Sequence, residues 1–195
     1  EGSLAVAGES LHVGGSYNNQ ALNHYQYVVS NTVEVSNGGV FSNLRMTSSS
    51  KCYLPVQGYG NKVVVDGGFF YSSGSVDVGR EGCASTNNTV EIRGGGIFQI
   101  DNAKPFRLLG CSNSLHIVDG KMSVPLSSVN AGTSGSYARI EIGTNGCIQA
   151  NALAMDSPTS ELIINLPENG IQSPVIKANM SINAGVKVIF NGLMK

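Results

Sequence analysis

Charged side chains are scarce in this chain, and tryptophan is absent. Asp, Glu, Lys and Arg make up only 13% of its 195 residues, about half the usual share. The 12 basic and 13 acidic residues are scattered singly, so a nucleic-acid-binding patch is not expected. No apolar run approaches the roughly 18 residues that span a bilayer, and we expect no membrane insertion.

Catalytic and cofactor motifs are missing as well. The sequence has no G-x-S-x-G, no H-E-x-x-H, no P-loop and no dinucleotide-binding fingerprint. The three histidines fall in different parts of the chain, so we expect no metal site and no cofactor. The four cysteines (Cys52, Cys83, Cys111 and Cys147) show no C-x-x-C spacing. Cys83 and Cys111 occupy similar places in successive segments; a disulfide between them is one alternative, and two buried free thiols are the favoured one.

Glycine, serine, asparagine and threonine take the place of the missing charges. The chain has 25 glycines, and these residue types suit tight turns while weakening the interior of a helix. Long runs of Ala, Leu, Glu and Lys are absent. The composition therefore predicts an all-β protein.

One short pattern recurs along the chain: an Asn, a spacer, two aliphatic residues that alternate with an outward residue, and a Gly-containing turn. It is clearest in NTVEVSNGG from Asn31, NKVVVDGG from Asn61 and NTVEIRGGG from Asn88. The first aliphatic positions of the copies lie 22 to 30 residues apart, at Leu11, Val33, Val63, Val90, Leu115, Ile140, Leu162 and Val188. A unit whose strand is constant while its loops vary in length indicates a solenoid.

The repeat predicts a right-handed single-stranded parallel β-helix of about seven to eight coils. We expect one domain over residues 1–195, belonging to a longer chain, with residues 16–30 as an irregular insertion or a cover for the first coil. The period-2 alternation places the repeated aliphatic pair inside. A second inward pair is expected after the Gly turn, at Phe69 and Tyr71, at Ile97 and Gln99 or their neighbours, and at Met122 and Val124. A third is expected at Val76 and Val78 or at Phe106 and Leu108.

The N-x-aliphatic-x-aliphatic-x-x-G-G pattern resembles the coils of secreted right-handed β-helices of the pectate-lyase-like superfold. It is especially similar to the Gly- and Asn-rich passenger regions of bacterial autotransporter-type adhesins. The resemblance covers most of residues 10–192 and implies a secreted or cell-surface location in a bacterium. Fold analogy alone assigns no chemistry.

Two sets of polar residues are candidates for a role beyond packing. Stacked amides at the start of each copy predict a structural ladder, or alternatively a ligand-binding row, at Asn31, Asn61, Asn88 and Asn113. The outward position of each copy predicts a column that contains Glu91, His116 and Glu141 on consecutive strands. Carboxylates two strands apart lie about 9.6 Å apart, close to the separation used in inverting glycoside hydrolysis. An exposed, charge-alternating ladder is the other interpretation. In the next column of outward residues along the strands, Asp66 is expected beside Arg93.

These observations favour a non-catalytic structural or adhesive module that binds glycans or surface proteins. The alternative is a carbohydrate-active enzyme (a glycoside hydrolase or a polysaccharide lyase), or a fragment of one, that uses Glu91, His116 and Glu141. Tyrosines crowd the first third of the chain and could form a sugar-stacking or protein-contact patch, or simply pack at the edge of the core. Self-association through the end coils is a third possibility, because uncovered strand edges pair with other chains.

Overall fold

The protein is a parallel β-solenoid. A computed structural model describes residues 3–6, 28–43, 51–54, 58–79, 85–101, 103–132, 136–167 and 175–192. All regular elements in these segments are strands, and every pairing between strands is parallel. The predicted all-β stack of parallel strands is therefore confirmed, whereas the handedness and the number of coils stay predictions.

Seven strands form one uninterrupted stack, which we call the seven-stranded face. In spatial order they are β3 (Thr32–Ser36), β7 (Lys62–Asp66), β11 (Thr89–Arg93), β14 (Asn113–Ile117), β16 (Ala138–Ile142), β18 (Glu161–Asn165) and β20 (Lys187–Asn191). The register places seven of the predicted first aliphatic positions directly opposite one another, from Val33 to Val188. Leu11, the remaining one, lies outside the described residues.

The other strands complete the coil. A second stack contains β1 (Ser3–Val6), β4 (Val40–Asn43), β8 (Phe69–Ser72), β12 (Ile97–Ile100) and the first parts of β15 (Lys121–Ala131), β17 (Cys147–Met155) and β19 (Ile176–Ile182). A third contains β5 (Lys51–Leu54), β9 (Ser75–Val78), β13 (Phe106–Leu108) and the later parts of β15, β17 and β19. The short strands β2 (Val28–Val29), β6 (Gly58–Tyr59) and β10 (Ser85–Thr86) form a small sheet. Most of the predicted insertion, residues 16–27, lies outside the described residues.

The core is a column of side chains that repeat from coil to coil. Phe41, Phe70 and Phe98 stack with ring centroids 4.7 and 4.3 Å apart, and Phe106 packs edge-on against Phe98 at 5.8 Å. Offset-stacked and edge-to-face aromatic pairs add stability beyond the apolar area that they bury. Parallel strands in strict register bring like residues together, so the aromatic stack follows directly from the repeat.

The second inward pair is confirmed in β15, where Met122 and Val124 are fully buried, but in β8 it was predicted one residue out of register. Phe70 and Ser72 are the buried residues of β8, and Phe69 and Tyr71 face outward. The prediction was wrong because two adjacent phenylalanines satisfy either choice of face, and a one-residue slip reverses every side chain of a strand. The third inward pair is confirmed, since Val76 and Val78 lie in register with Phe106 and Leu108 and are fully buried.

In several coils, a glycine in the turn that follows the strand of the seven-stranded face lies against the backbone of the preceding coil. A Cβ atom on it would approach a carbonyl oxygen of that coil to 2.4 or 2.5 Å, at Gly68 (Val35), Gly96 (Val65), Gly120 (Gly96) and Gly146 (Ile117). Cβ atoms do not come so close to backbone oxygens in real proteins. The glycine of the motif is therefore required by the spacing between coils.

The last described rung, formed by β19 and β20, is the most exposed part of the core. Val188 and Phe190 are 40% and 63% exposed, although the residues in register with them, Leu162 and Ile164, are buried. At the other end of the seven-stranded face, Val35 on β3 is buried, with 8% of its surface exposed. The two ends of the apolar column are thus unequal.

The cysteines differ in their bonding. Cys111 is in a disulfide, so the favoured expectation of a free thiol was wrong at this position; its proposed partner, Cys83, lies outside the described residues. Cys147 is free and partly buried. Spacing in the sequence alone could not decide whether Cys111 forms a disulfide.

Candidate functional site

The seven-stranded face carries the predicted column of outward residues. Glu91, His116 and Glu141 lie directly opposite one another on β11, β14 and β16. Val64 and Ile163 occupy the same column on the flanking strands. The two carboxylates are therefore two strands apart, about 9.6 Å at the usual strand spacing, with an imidazole between them.

Glu91 belongs to a chain of four charged side chains. Lys62 Nζ lies 2.5 Å from its Oε2, and Arg93 donates a hydrogen bond of 2.8 Å to its Oε1. Arg93 also donates from Nε to Asp66 Oδ2 at 2.8 Å, which is the pair expected one column over. Burial alone would raise the pKa of Glu91, but the hydrogen bonds and charges of Lys62 and Arg93 outweigh burial and lower it.

Glu141 is held in a similar way from its own strand and the next. Arg139 donates a hydrogen bond of 2.7 Å to Oε2, and Asn165 Nδ2 donates one of 3.2 Å to Oε1. Burial again acts to raise the pKa of Glu141, and the donors, together with the charges of Arg139 and His116, lower it. Both carboxylates of the column are thus stabilised in their charged form.

His116 is the least satisfied group of the column. Its Nε2 atom is buried and has no hydrogen-bond partner. The same is true of Nε of Arg139. Burial is the main cause that lowers the pKa of His116; Arg139 and Lys62 add to this effect, while Glu141 and Glu91 oppose it. The imidazole is therefore neutral at pH 7.

Neither carboxyl of this column is stabilised in its protonated form. Inverting glycoside hydrolysis needs one carboxyl whose pKa is raised, so that it still holds a proton to give to the leaving group. The pKa values of Glu91 and Glu141 both move the other way, because each carboxylate accepts hydrogen bonds from cationic side chains. The two-strand separation of Glu91 and Glu141 is close to that of an inverting pair, but their lowered pKa values do not suit the role of the acid.

Acidification should destabilise the fold in two steps. His116 has a lowered pKa in the folded state, so below pH of about 6.5 the unfolded chain takes up its proton first and stability falls. The contributions of Glu91 and Glu141, whose pKa values are also lowered, are complete above pH of about 4.5 and are lost below it. We expect the melting temperature to be flat above pH of about 7 and to fall on acidification.

The upper step can be assigned by substitution. In His116→Gln the decline of the melting temperature between pH of about 6.5 and 5 should disappear, because glutamine does not titrate. Ser114→Ala, on the same strand, is the matched control and should keep the decline. An unchanged pH profile in His116→Gln would contradict the assignment.

The repeated asparagines form a hydrogen-bonded ladder inside the coil. In each step the backbone N and Nδ2 of one Asn donate to Oδ1 of the next: Asn31 to Asn61 at 3.0 Å, Asn61 to Asn88 at 3.0 and 3.2 Å, and Asn88 to Asn113 at 2.8 and 2.9 Å. Asn113 Nδ2 donates to the carbonyl oxygen of Leu109. The ladder satisfies buried backbone donors at the start of each strand.

The ladder changes chemistry after Asn113. The next residue in register is Ala138, whose backbone N donates to Oγ of the buried Ser160 at 3.0 Å. A serine hydroxyl thus takes over the accepting role of the amide oxygen. Because Asn61, Asn88 and Asn113 are almost completely buried, their amides face no ligand.

The ion pair of Arg107 with Asp77 was also missed by sequence reasoning. Arg107 donates two hydrogen bonds of 2.6 Å to the carboxylate of Asp77, whose side chain is 2% exposed. Each residue lies between two inward apolar residues, on the adjacent strands β9 and β13. That shared position, with opposite charges in neighbouring coils, was the signal in the sequence. Among the described residues, this ion pair does not hold a catalytic group in place.

The fold defines the class of this protein as a parallel β-solenoid. No protein-family model, no curated protein and no solved structure matches the chain. No three His, Cys, Asp or Glu side chains in the described segments lie close enough to hold a metal ion, and no helix within them is long and apolar enough to cross a membrane. The class therefore rests on the strand pairing and on the register themselves.

Proposed function

We propose that this protein is a non-catalytic structural or adhesive β-helix that binds glycans or proteins through its outer faces, outside the cell or at its surface. The observation that carries the proposal is the ion pairing of Glu91 and Glu141. Their cationic partners neutralise both carboxylates and lower their pKa values. This suits a rigid polar surface better than acid–base chemistry.

The disulfide at Cys111 supports a location outside the cytosol. Disulfides form and persist in oxidising compartments and are rare where glutathione keeps thiols reduced. The parallel stack and the variable loops support kinship with right-handed β-helices of the pectate-lyase-like superfold and with bacterial passenger regions. Both points belong to the proposal, and they agree with a secreted or surface-attached rod.

The mechanism of adhesion would be geometric. Outward residues on the seven-stranded face recur at each coil, about 4.8 Å apart along the rod. Contacts that are weak individually add up when they are held at fixed spacing, because the second binding event becomes intramolecular. The exposed rung of β19 and β20 also offers an edge for self-association, which we retain as part of the proposal.

A combined degradation and binding screen tests the proposal. Incubation with a panel of polysaccharides should release no product from the unaltered chain, while immobilised glycans or surface proteins retain it. Glu91→Gln and Glu141→Gln should give the same results as the unaltered chain in both assays. Glu161→Gln is the matched control, because Glu161 is another carboxylate on the same face.

A carbohydrate-active enzyme is the second candidate function, favoured by the direct register of Glu91, His116 and Glu141. It predicts product release by the unaltered chain and its loss in Glu91→Gln and Glu141→Gln, with Glu161→Gln active. That outcome would overturn the non-catalytic proposal. Absence of product together with absence of any retained ligand would contradict the adhesive part alone.

A further inference from the structure

Four apolar and aromatic side chains form a patch on the outer face of the second stack. Val40, Phe69 and Ile97 lie directly opposite one another on β4, β8 and β12, and Tyr71 is the next outward residue after Phe69. The rings of Phe69 and Tyr71 have centroids 6.3 Å apart and planes inclined by 27°. We call these four residues the aromatic patch.

Val40 and Ile97 of the aromatic patch are exposed, and Phe69 and Tyr71 are half-buried. Val40 and Ile97 are each 37% exposed, whereas Val64 and Ile163 on the seven-stranded face are 3% and 6% exposed. In the coil after Ile97 the same column carries Lys121. Outward apolar residues on three consecutive strands therefore mark a local feature, and contiguous exposed apolar surface commonly marks a binding site.

Polar groups gather at one side of the aromatic patch. Gln99 follows Tyr71 in the outward column, and its Nε2 donates to both oxygens of Asp101 at 3.2 and 3.3 Å. Burial raises the pKa of Tyr71, and the nearby charge and hydrogen bond of Asp101 raise it further, so the phenol keeps its proton. A hydroxyl, an amide and a carboxylate thus border the rings.

We infer that the aromatic patch with Gln99 and Asp101 is a subsite for a neutral sugar ring; the inference rests on the proposed adhesive function and locates its glycan contact. A pyranose has C–H groups that pack on aromatic rings and hydroxyls that bond to a carboxylate or an amide. Ligand sites commonly combine an apolar lining with a few polar groups that fix orientation. A negatively charged sugar is disfavoured beside Asp101 because like charges repel.

The size of the aromatic patch favours a sugar over a protein. A stable protein interface buries about 800 Å² on each partner and involves about 20 to 30 residues on each side. Four apolar side chains and two polar ones are far fewer than that, and they match the footprint of one or two sugar rings. The patch is also part of a rigid sheet, so binding orders few groups and little entropy is lost.

Binding of neutral oligosaccharides tests the inference. The unaltered chain is applied to an array of neutral and anionic oligosaccharides, and the affinity for the neutral ones that it retains is measured by calorimetry. Phe69→Ser and Tyr71→Ser should weaken binding by about tenfold or more, and Tyr71→Phe much less, because stacking supplies most of the contact. Asn130→Ala, on the third stack and outside both the aromatic patch and the seven-stranded face, is the control and should leave the affinity unchanged. Melting curves establish that each variant is folded.

The possible outcomes separate the inference from the proposed function. If the chain binds glycans and Phe69→Ser and Tyr71→Ser bind as well as the unaltered chain, the inference is overturned and the adhesive function stands. Retention of anionic oligosaccharides alone, or of proteins alone, overturns it in the same way. If nothing at all is retained, the adhesive function fails and the subsite with it.

Discussion

Replacing Asn88 by alanine is expected to lower the free energy of unfolding by about 4 kcal/mol. Its Oδ1 accepts hydrogen bonds from the backbone N and from Nδ2 of Asn61, and its own Nδ2 donates to Asn113. All three residues are almost completely buried, and each buried polar group that loses its partner costs about 1 to 3 kcal/mol. Chemical denaturation followed by circular dichroism measures the change.

Asn31→Ala is the matched control from the same ladder. Asn31 is exposed and donates to Asn61, so in the variant water can donate to the Oδ1 atom of Asn61 in place of the lost amide. We expect a loss of no more than about 1 kcal/mol. Equal losses at Asn31 and Asn88 would show that the buried ladder is not a main source of stability.

Gly96→Ala is expected to cost about 3 kcal/mol or more, or to prevent folding. The added Cβ would lie 2.4 Å from the carbonyl oxygen of Val65 and 2.9 Å from that of Arg93. Both contacts are with backbone, so relief requires two coils to move apart, which loosens the packing of the core between them. Soluble yield and melting temperature measure the effect.

Gly95→Asn separates this steric effect from the general cost of losing a turn glycine. Gly95 has a φ of 76°, and a Cβ atom on it would have no atom within 4 Å. Asparagine adopts such a φ more readily than most residues, so we expect a loss of no more than about 1 kcal/mol. A Gly95→Asn variant as damaged as Gly96→Ala would contradict the spacing argument.

The stack of strands could be predicted from the sequence because one signal was repeated. Each copy places two aliphatics around one outward residue after an Asn, and a period of 2 leaves only one way to bury both. Seven copies in the same register then determine which outward residues are neighbours. The column of Glu91, His116 and Glu141 followed from that register.

Predictions failed where the signal was ambiguous within a single strand. Phe69 and Phe70 are equally apolar, and the choice between them depends on the turn at Gly67 and Gly68, which sets the phase of the following strand. The structure turns Phe69 and Tyr71 outward, and this reversal creates the aromatic patch. The hydrophobicity pattern of the sequence is the same whichever of two adjacent aromatic residues faces outward.

The electrostatic character of the candidate site also could not be predicted from register alone. Register places Glu91 beside His116, but the pKa of Glu91 depends on Lys62, which lies on the neighbouring strand and two positions away along it. Whether such a diagonal pair forms depends on side-chain rotamers. The same limit applies to Arg139 and Glu141, which could point apart on one strand but are hydrogen bonded.

The unequal ends of the apolar column have a consequence for how the rod opens and how it changes length. In a solenoid each rung contacts only its neighbours, so stability is close to a sum of nearest-neighbour terms. Local opening should therefore begin at the rung of β19 and β20, where Phe190 is poorly covered, and proceed inward one coil at a time. Opening of that rung leaves the inner coils unchanged, so the seven-stranded face can shorten from this end while each remaining coil keeps its structure.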